Sequence, residues 1–351
     1  MIVIGADTHK SSHTLVAVDQ ATGQRVAVRT VASSGVGVME ALCWARGFDD
    51  LERVWAIEDC RHVSGRLERL LVSAGESVVR VPPKLMAGQR RSARERGKSD
   101  PIDATAVARA AIREGVERLP VAQLAGSELD ERLLLDHHDD LVAARSDQQR
   151  RLRWHLHDLY DDLDVPLGGL DRDVWLDRIA GRLRRSSQTA RVRIARDLVG
   201  QIRAATRRIR ELEREISALV DELCPQLVAE PGCGPLTAAK LVGEIAGAQR
   251  FSSDAKLARA AGVAPIPVSS GRRDRHRLDR GGNRQLNLAF HRLAVNRARH
   301  DPATAAYLAR KQAEGKTRME ALRCLKRHLA RRVYRLLTTD QAAAATAPAL
   351  T

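Results

Sequence analysis

The sequence predicts an α/β domain at the N-terminus, then a long helical region, then a basic and mostly helical C-terminal domain. Three observations carry that expectation. Apolar residues alternate in three short runs at the start of the chain. They recur at spacings of four and three over residues 198–223. Ala, Leu and Arg fill long patterned stretches of the 351 residues, while aromatics make up only 3%. A chain of this length is expected to form two or three domains.

VIGAD, HTLVAVDQ and QRVAVRTVAS read as three strands joined as a meander. SSGVG supplies a loop and a helix start, and MEALCWARG has helical apolar spacing. RVWAIED is a fourth strand ending in Glu58 and Asp59, and SGRLERLLVSAG is a helix closed by Gly75. ESVVRVPP is a fifth strand, stopped by Pro82 and Pro83. The basic segment KLMAGQRRSARERGK, with Arg90, Arg91, Arg94 and Lys98, then leads into the helix of SDPIDATAVARAAIREG. Three strands, helix, strand, helix, strand, helix is the ribonuclease H topology. In it an antiparallel meander continues through crossovers whose parallel strands need helical returns. Residues 1–120 are assigned to this domain.

From about Glu128 to Tyr160 the chain is polar and helical. From Leu198 the series Ile202, Ala205, Ile209, Leu212, Ile216, Leu219 and Leu223 forms a heptad seam, which predicts a coiled coil and self-association. Pro166, Gly168 and Gly169 break the two stretches, so residues 121–228 should form an elongated helical arm. Beyond it, residues 250–336 hold 22 Lys and Arg against 6 Asp and Glu, enough to account for the whole chain's formal charge of +15. Residues 229–338 are expected to form the C-terminal domain and 339–351 a disordered tail.

An uncompensated basic field attracts polyanions, and nucleic acid is the default partner. No run of about 18 apolar residues could span a bilayer. The stretch before Asp7 and Lys10 is too short for a signal sequence, so a soluble, cytoplasmic protein is expected. Five cysteines without CxxC spacing suggest neither a zinc site nor disulfides. They are read as reduced, mostly buried thiols.

Three constellations could carry chemistry. Asp7 ends the first strand, Glu58 ends the fourth, and Asp100 and Asp103 open a helix on one of its sides. Four converging carboxylates suit two Mg²⁺ ions, which can clamp both oxygens of a phosphoryl displacement. Helix capping explains part of this set equally well, with Asp100 as N-cap, Pro101 at N1 and Asp103 as the N3 acid. It explains neither Asp7 nor Glu58. In PGCGPLTAAKLVGEI, Gly232 and Gly234 make a turn whose backbone N–H groups could meet phosphates, or a plain helix-breaking turn. In AGVAPIPVSSGRRDRHRLDRGGNRQLN, Ser269 and Ser270 sit beside Arg272, Arg273, Arg275, Arg277, Arg280, Asn283 and Arg284. Guanidiniums can hold a phosphate, and a serine needs such electrostatic help or a base to act as a nucleophile. Ordinary loop chemistry also accounts for an SSG sequence, and His276 and His291 offer a base or a phosphate contact.

Taken together, GADTHK, AIED, KSDPIDA, PGCGPLTAAKL, GVAPIPVSSG and RGGNRQLN resemble the DEDD transposases of bacterial insertion sequences, relatives of the pilin-gene invertases and of bridge-RNA-guided recombinases. The resemblance runs in the family's order over nearly the whole chain. It implies a RuvC-like N-terminal domain, a coiled-coil arm for assembly and a C-terminal domain with a catalytic serine. Carried over by motif, the acids are Asp7, Glu58, Asp100 and Asp103 and the serine is Ser270. It further implies Mg²⁺, a transient serine–phosphate link to double-stranded DNA, a guide (bridge) RNA, and a dimer or tetramer in which one subunit's acids work beside another's serine. IEDCRH departs from the family's small residue and TG after the glutamate, which leaves Asp59 as an alternative ligand; Ser269 is an alternative nucleophile. The expected function is DNA cutting and rejoining. The competing readings are a RuvC-like nuclease that uses water and a nucleic-acid-binding protein that has lost activity.

Overall fold

The computed structural model describes all residues except 49–51, 59–60, 83–84, 87–98, 120, 122–125, 269–275, 278, 280 and 347–351, and of residues 61–62 and 341–346 only the backbone. Asp59, Arg90, Arg91, Arg94, Lys98, Ser269, Ser270, Arg272, Arg273, Arg275 and Arg280 therefore lie outside the described residues.

β1 (Ile2–Thr8), β2 (Ser12–Asp19) and β3 (Arg25–Ala32) form the antiparallel meander, followed by α1 (Gly35–Arg46), β4 (Arg53–Glu58), α2 (Arg61–Ser73), β5 (Val78–Val81) and α3 (Asp100–Glu114). The sheet runs β3-β2-β1-β4-β5, with β4 parallel to both β1 and β5. This is the RNase H-like order expected. Successive strand residues face opposite sides, and here both sides are covered. Ile2, Ile4, Ala6, Trp55 and Ile57 share a core with α1 and α2. Val3, Val54 and Ala56 share another with Ala104, Val107, Ala108 and Ala111 of α3. Trp55 is fully buried, and its indole N–H donates to Glu76, which also takes a two-pronged bond from Arg53. These donors hold the Glu76 carboxyl below its ordinary range, Arg53 contributing most.

α4 (Ser127–Leu159) and α6 (Ala190–Leu223) pack along each other, with the shorter α5 (Asp173–Arg185) between them in sequence. Leu152 and Leu156 near the end of α4 join Val192, Leu198 and Ile202 near the start of α6 in one core. Leu135 near the start of α4 joins Leu212 and Ile216 near the end of α6 in another. The two helices therefore run in opposite directions. The buried side of α6 departs from the expected seam at Ala205, Leu219 and Leu223, which are half-buried. Thr206 and Val220 are buried where the regular spacing pointed to Ala205 and Leu219, because 3.6 residues per turn drift from a strict heptad. The described seam is covered within the chain, by α4.

α7 (Pro225–Val228), α8 (Pro235–Ile245), α9 (Asp254–Ala260), α10 (Arg284–His300), α11 (Pro302–Ala313) and α12 (Arg318–Thr346) follow, with a two-residue hairpin of β6 (Ile266–Pro267) and β7 (His276–Arg277) between α9 and α10. The expected disordered tail of 339–351 is corrected over residues 339–346, and 347–351 lie outside the described residues. α12 continues to Thr346 and buries Asp340, since the run of alanines is among the best helix formers. The cysteine expectation also needs correcting. Cys224 and Cys233 are buried, with thiols pushed up to about 12 by burial, but Cys43 lies on the open side of α1. Among the described residues no helix is long and apolar enough to cross a membrane.

Candidate active site

Asp7 and Glu58 stand side by side because their strands are parallel and in register. The last paired residues, Ala6 and Ile57, immediately precede them. Alternation places both on the α3 face of the sheet, the side of Val3 and Ala56. Gly5, on the same face, lets the helix come close. A Cβ there would stand 2.1 Å from the Ala104 carbonyl oxygen and 2.7 Å from the Ala108 nitrogen. The backbone of α3 thus rests on β1 two residues from Asp7, and the helix N-terminus is brought to the sheet edge.

α3 begins one residue earlier than the capping reading assumed. Ser99 is the N-cap, with no side-chain cap bond, so Asp100 is the first helical residue and Pro101 the second. The Asp103 N–H is bonded by the Ser99 carbonyl. The capping role of the Asp100 side chain is thereby removed. Both carboxylates still gain from the positive end of the helix dipole.

His9, a residue that the motif reading passed over, sits between two of these acids. Its Nε2 lies 3.3 Å from Asp7 Oδ2 and 3.5 Å from Asp100 Oδ1. One ligand atom each from Asp7, His9 and Asp100 fall within 4.8 Å of one another, the spacing that a single cation can bridge. Among the described residues Glu58 and Asp103 are not in this set. Glu58 is half-buried on the adjoining strand, and Asp103 is buried one helical turn beyond Asp100. Asp7 is 9% exposed and Asp103 8%. The signal for His9 was its place two residues from Asp7, the same-face spacing of extended chain. His13, by contrast, is buried on the opposite face with Leu15 and Ala17, and burial holds its ring below the ordinary histidine range.

The second motif block folds into a closed excursion. The Asn283 N–H donates to the Ala260 carbonyl, and the Asn287 amide donates to the carbonyls of Ala261 and Gly262. A Cβ on Gly282 would stand 2.1 Å from the Gly262 nitrogen, so the GV and RGGN motifs meet at the neck of the excursion. β6 and β7 lie within it, and residues 268–275 join them. Asn283 caps α10 through Gln285 and Leu286 and donates to Glu244 at 2.6 Å, so its side chain is committed to the fold. Arg277 and Arg284 are exposed. In the PGCG turn, Gly234 is the exposed N-cap of α8, whereas Gly232 packs on the backbone of Arg297.

A cleft of about 1000 Å³ is walled on one side by Arg80 and Arg118 of the α/β domain and on the other by Arg250, Lys256, Arg259 and Arg284. Glu114, Glu244 and Asp279 line it as well, and Arg80 is paired with Glu68 and Arg259 with Glu114, so its charge is mixed.

The RNase H-like sheet carries Asp7 and Glu58 at the ends of adjacent parallel strands, with Asp100 of α3 beside Asp7, an arrangement suited to a divalent cation, and the family matches make the chain a DNA-cutting enzyme. Residues 4–161 match the family model of DEDD transposases of the IS110 type, and residues 224–309 match that of the transposase IS116/IS110/IS902 family. The chain belongs to the DEDD transposases of the IS110 family. It is 27% identical to a 44.8 kDa protein of insertion element IS116 of Streptomyces clavuligerus, over 93% of this chain and 92% of that one. To a 42 kDa protein of IS900 of Mycobacterium paratuberculosis it is 27% identical, over 92% of each. To a 43.6 kDa protein of IS110 of Streptomyces coelicolor it is 38% identical, over 36% of this chain and 32% of that one. Among solved structures, T. thermophilus RuvC in complex with a Holliday junction substrate is similar with a TM-score of 0.27 and 14% identity, covering 35% of this chain and 99% of that one. A DEDD transposase acts on DNA and uses divalent metal.

Proposed function

We propose that this transposase cuts and rejoins the DNA ends of its insertion element, with Mg²⁺ held by Asp7, Glu58, Asp100 and Asp103 and with Ser270 as nucleophile. The observation that carries the metal assignment is the approach of Asp7 and Asp100, from two distant parts of the chain, around one point at the sheet edge. The donor set fits the ion: mostly carboxylate oxygens, partly open to water, at a separation that one small cation spans. His9 adds a nitrogen donor to it. Bound there, Mg²⁺ would neutralise phosphate oxygens and stabilise the charge of the displacement.

The chain's own residues set the rest. Gly5 brings α3 onto β1, and the helix N-terminus holds Asp100 beside Asp7, with Asp103 one turn further along α3. Ser270 Oγ, its proton passing to a base, forms a bond to phosphorus as a DNA oxygen leaves, and the reverse step rejoins a strand. Arg277, Arg284 and the arginines of residues 272–280 hold the phosphates near the serine. Residues 1–120, 121–228 and 229–338 are the RuvC-like domain, the arm and the serine-bearing domain. A bridge RNA selects the target, and a dimer or tetramer places one subunit's serine at another's acids. The +16 excess of residues 250–336, 22 basic against 6 acidic, supports the nucleic-acid contacts.

The test is cleavage of the element's end DNA with Mg²⁺ and its transcribed flanking RNA, followed by denaturing electrophoresis to detect protein attached to DNA. A DNA adduct in the wild type and none in Ser270→Ala or Asp7→Ala is the expected result. Cleavage without an adduct would mean that activated water does the work and that Ser270 is a loop residue.

A further inference from the structure

A cavity of about 970 Å³ lies at the base of the β6–β7 hairpin, and of its lining only Arg277 has been given a part in cutting. Its walls come from residues 262–265, from His276 and Arg277 of β7, and from α11 and α12. Lys326 of α12 is part of this wall and is only 5% exposed. Its ammonium donates to the Asn287 side chain at 2.9 Å, and no carboxylate among the described residues pairs with it. Burial, with Arg323 nearby, holds it below the ordinary lysine range. A buried cation facing a cavity with a single neutral partner is costly unless an anion enters.

Other groups point the same way. The Tyr307 hydroxyl is buried with no hydrogen-bond partner among the described residues. Arg277 and Lys316 also line the cavity without an ion pair among the described residues, whereas Lys311, Arg323 and Arg327 are paired with Glu314, Glu320 and Asp254. Unspent donors and cations therefore converge beside an apolar wall that includes Val263, Ala264 and Pro265. The volume is of the order that encloses a drug-sized ligand, about 300–1,000 Å³. That exceeds a bare inorganic anion and is too confined for a duplex.

We propose that this cavity binds an unpaired nucleic-acid strand, one phosphate lying on Lys326 and the Tyr307 hydroxyl and the adjoining base against Val263 and Pro265. The geometry requires an anion with an apolar part, and the choice of nucleic acid rests on the transposase reading.

The experiment measures binding, without divalent metal, of a labelled single strand of about a dozen nucleotides and of its duplex to the full-length protein, between about 50 and 200 mM salt. Failure here is separable from failure of the cutting reading, since no cleavage is measured. Lys326→Met is expected to weaken the single strand about tenfold at the lowest salt and to flatten its log–log salt slope by about 0.7, one phosphate contact. Tyr307→Phe, which deletes only the hydroxyl, should weaken it about threefold. Duplex affinity should not change in either variant. Unchanged single-strand affinity in both variants overturns the proposal, as does equal weakening of the duplex. So does stabilisation of the wild type by inorganic phosphate that Lys326→Met abolishes while single-strand affinity is intact, which would make this a free-anion site. If Lys326→Met does not fold, Tyr307→Phe decides the question.

Discussion

Gly5→Ala perturbs the seating of α3 on β1 without touching a metal ligand. The added methyl would lie 2.1 Å from the Ala104 oxygen and 2.7 Å from the Ala108 nitrogen, where ordinary contact begins at 3.4 Å. Both are backbone atoms of one helix, and neither can rotate away, so α3 must retreat by about 1 Å. Overpacking of this kind costs about 1–3 kcal/mol. The consequence for the site is larger than for the fold. Mg²⁺ holds its ligands at about 2.0–2.1 Å with little tolerance, and a misplacement of about 1 Å can cost about 10²-fold in rate. Calorimetric titration with Mg²⁺ and the cleavage assay should both show this loss while the protein remains folded. Gly35→Ala is the control, since a Cβ there meets nothing within 4 Å. Wild-type stability and metal affinity in Gly5→Ala would refute the role given to α3.

Three further outcomes are expected. Gly232→Ala should lose about 1–3 kcal/mol, because its φ of 81° disfavours a side chain and its Cβ would lie 2.5 Å from the Arg297 nitrogen; Gly234→Ala, with open space around it, should be neutral in thermal melts. If both glycines served only phosphate contact, DNA affinity rather than stability would fall. Glu131 is fully buried and burial pushes its carboxyl from 4.5 up to about 7. The folded chain keeps this proton when the unfolded chain releases it, so the contribution is full below about pH 4.5 and declines by up to about 3 kcal/mol as pH rises through about 7; Glu131→Gln should remove that slope in denaturant melts, and an unaltered slope would exclude Glu131 as its source. His138 of α4 lies 3.5 Å from Asp139 and 3.5 Å from Glu213 of α6, which raise its pKa, Asp139 most. Its contribution is present below pH 6.5 and lost above its folded value, so His138→Gln should destabilise more at pH 6 than at pH 9, and equal effects at both would dismiss the charge.

The amino-acid sequence alone determined the strands, their topological order and the places of Asp7 and Glu58 at strand ends, because alternation, turn residues and strand length are properties of a few neighbouring residues. It also determined the two long helices of the arm. Only the tertiary structure decided that Ser99 rather than Asp100 caps α3, that His9 stands between Asp7 and Asp100, and that the seam of α6 is covered by α4 of the same chain. It alone showed Gly232 packed on Arg297, Asn283 spent as a cap and Lys326 buried at a cavity wall. Each of these depends on how closely two elements distant in the chain approach one another. That distance is set by parallel register and by a missing Cβ at Gly5 or Gly282, and no local period encodes it.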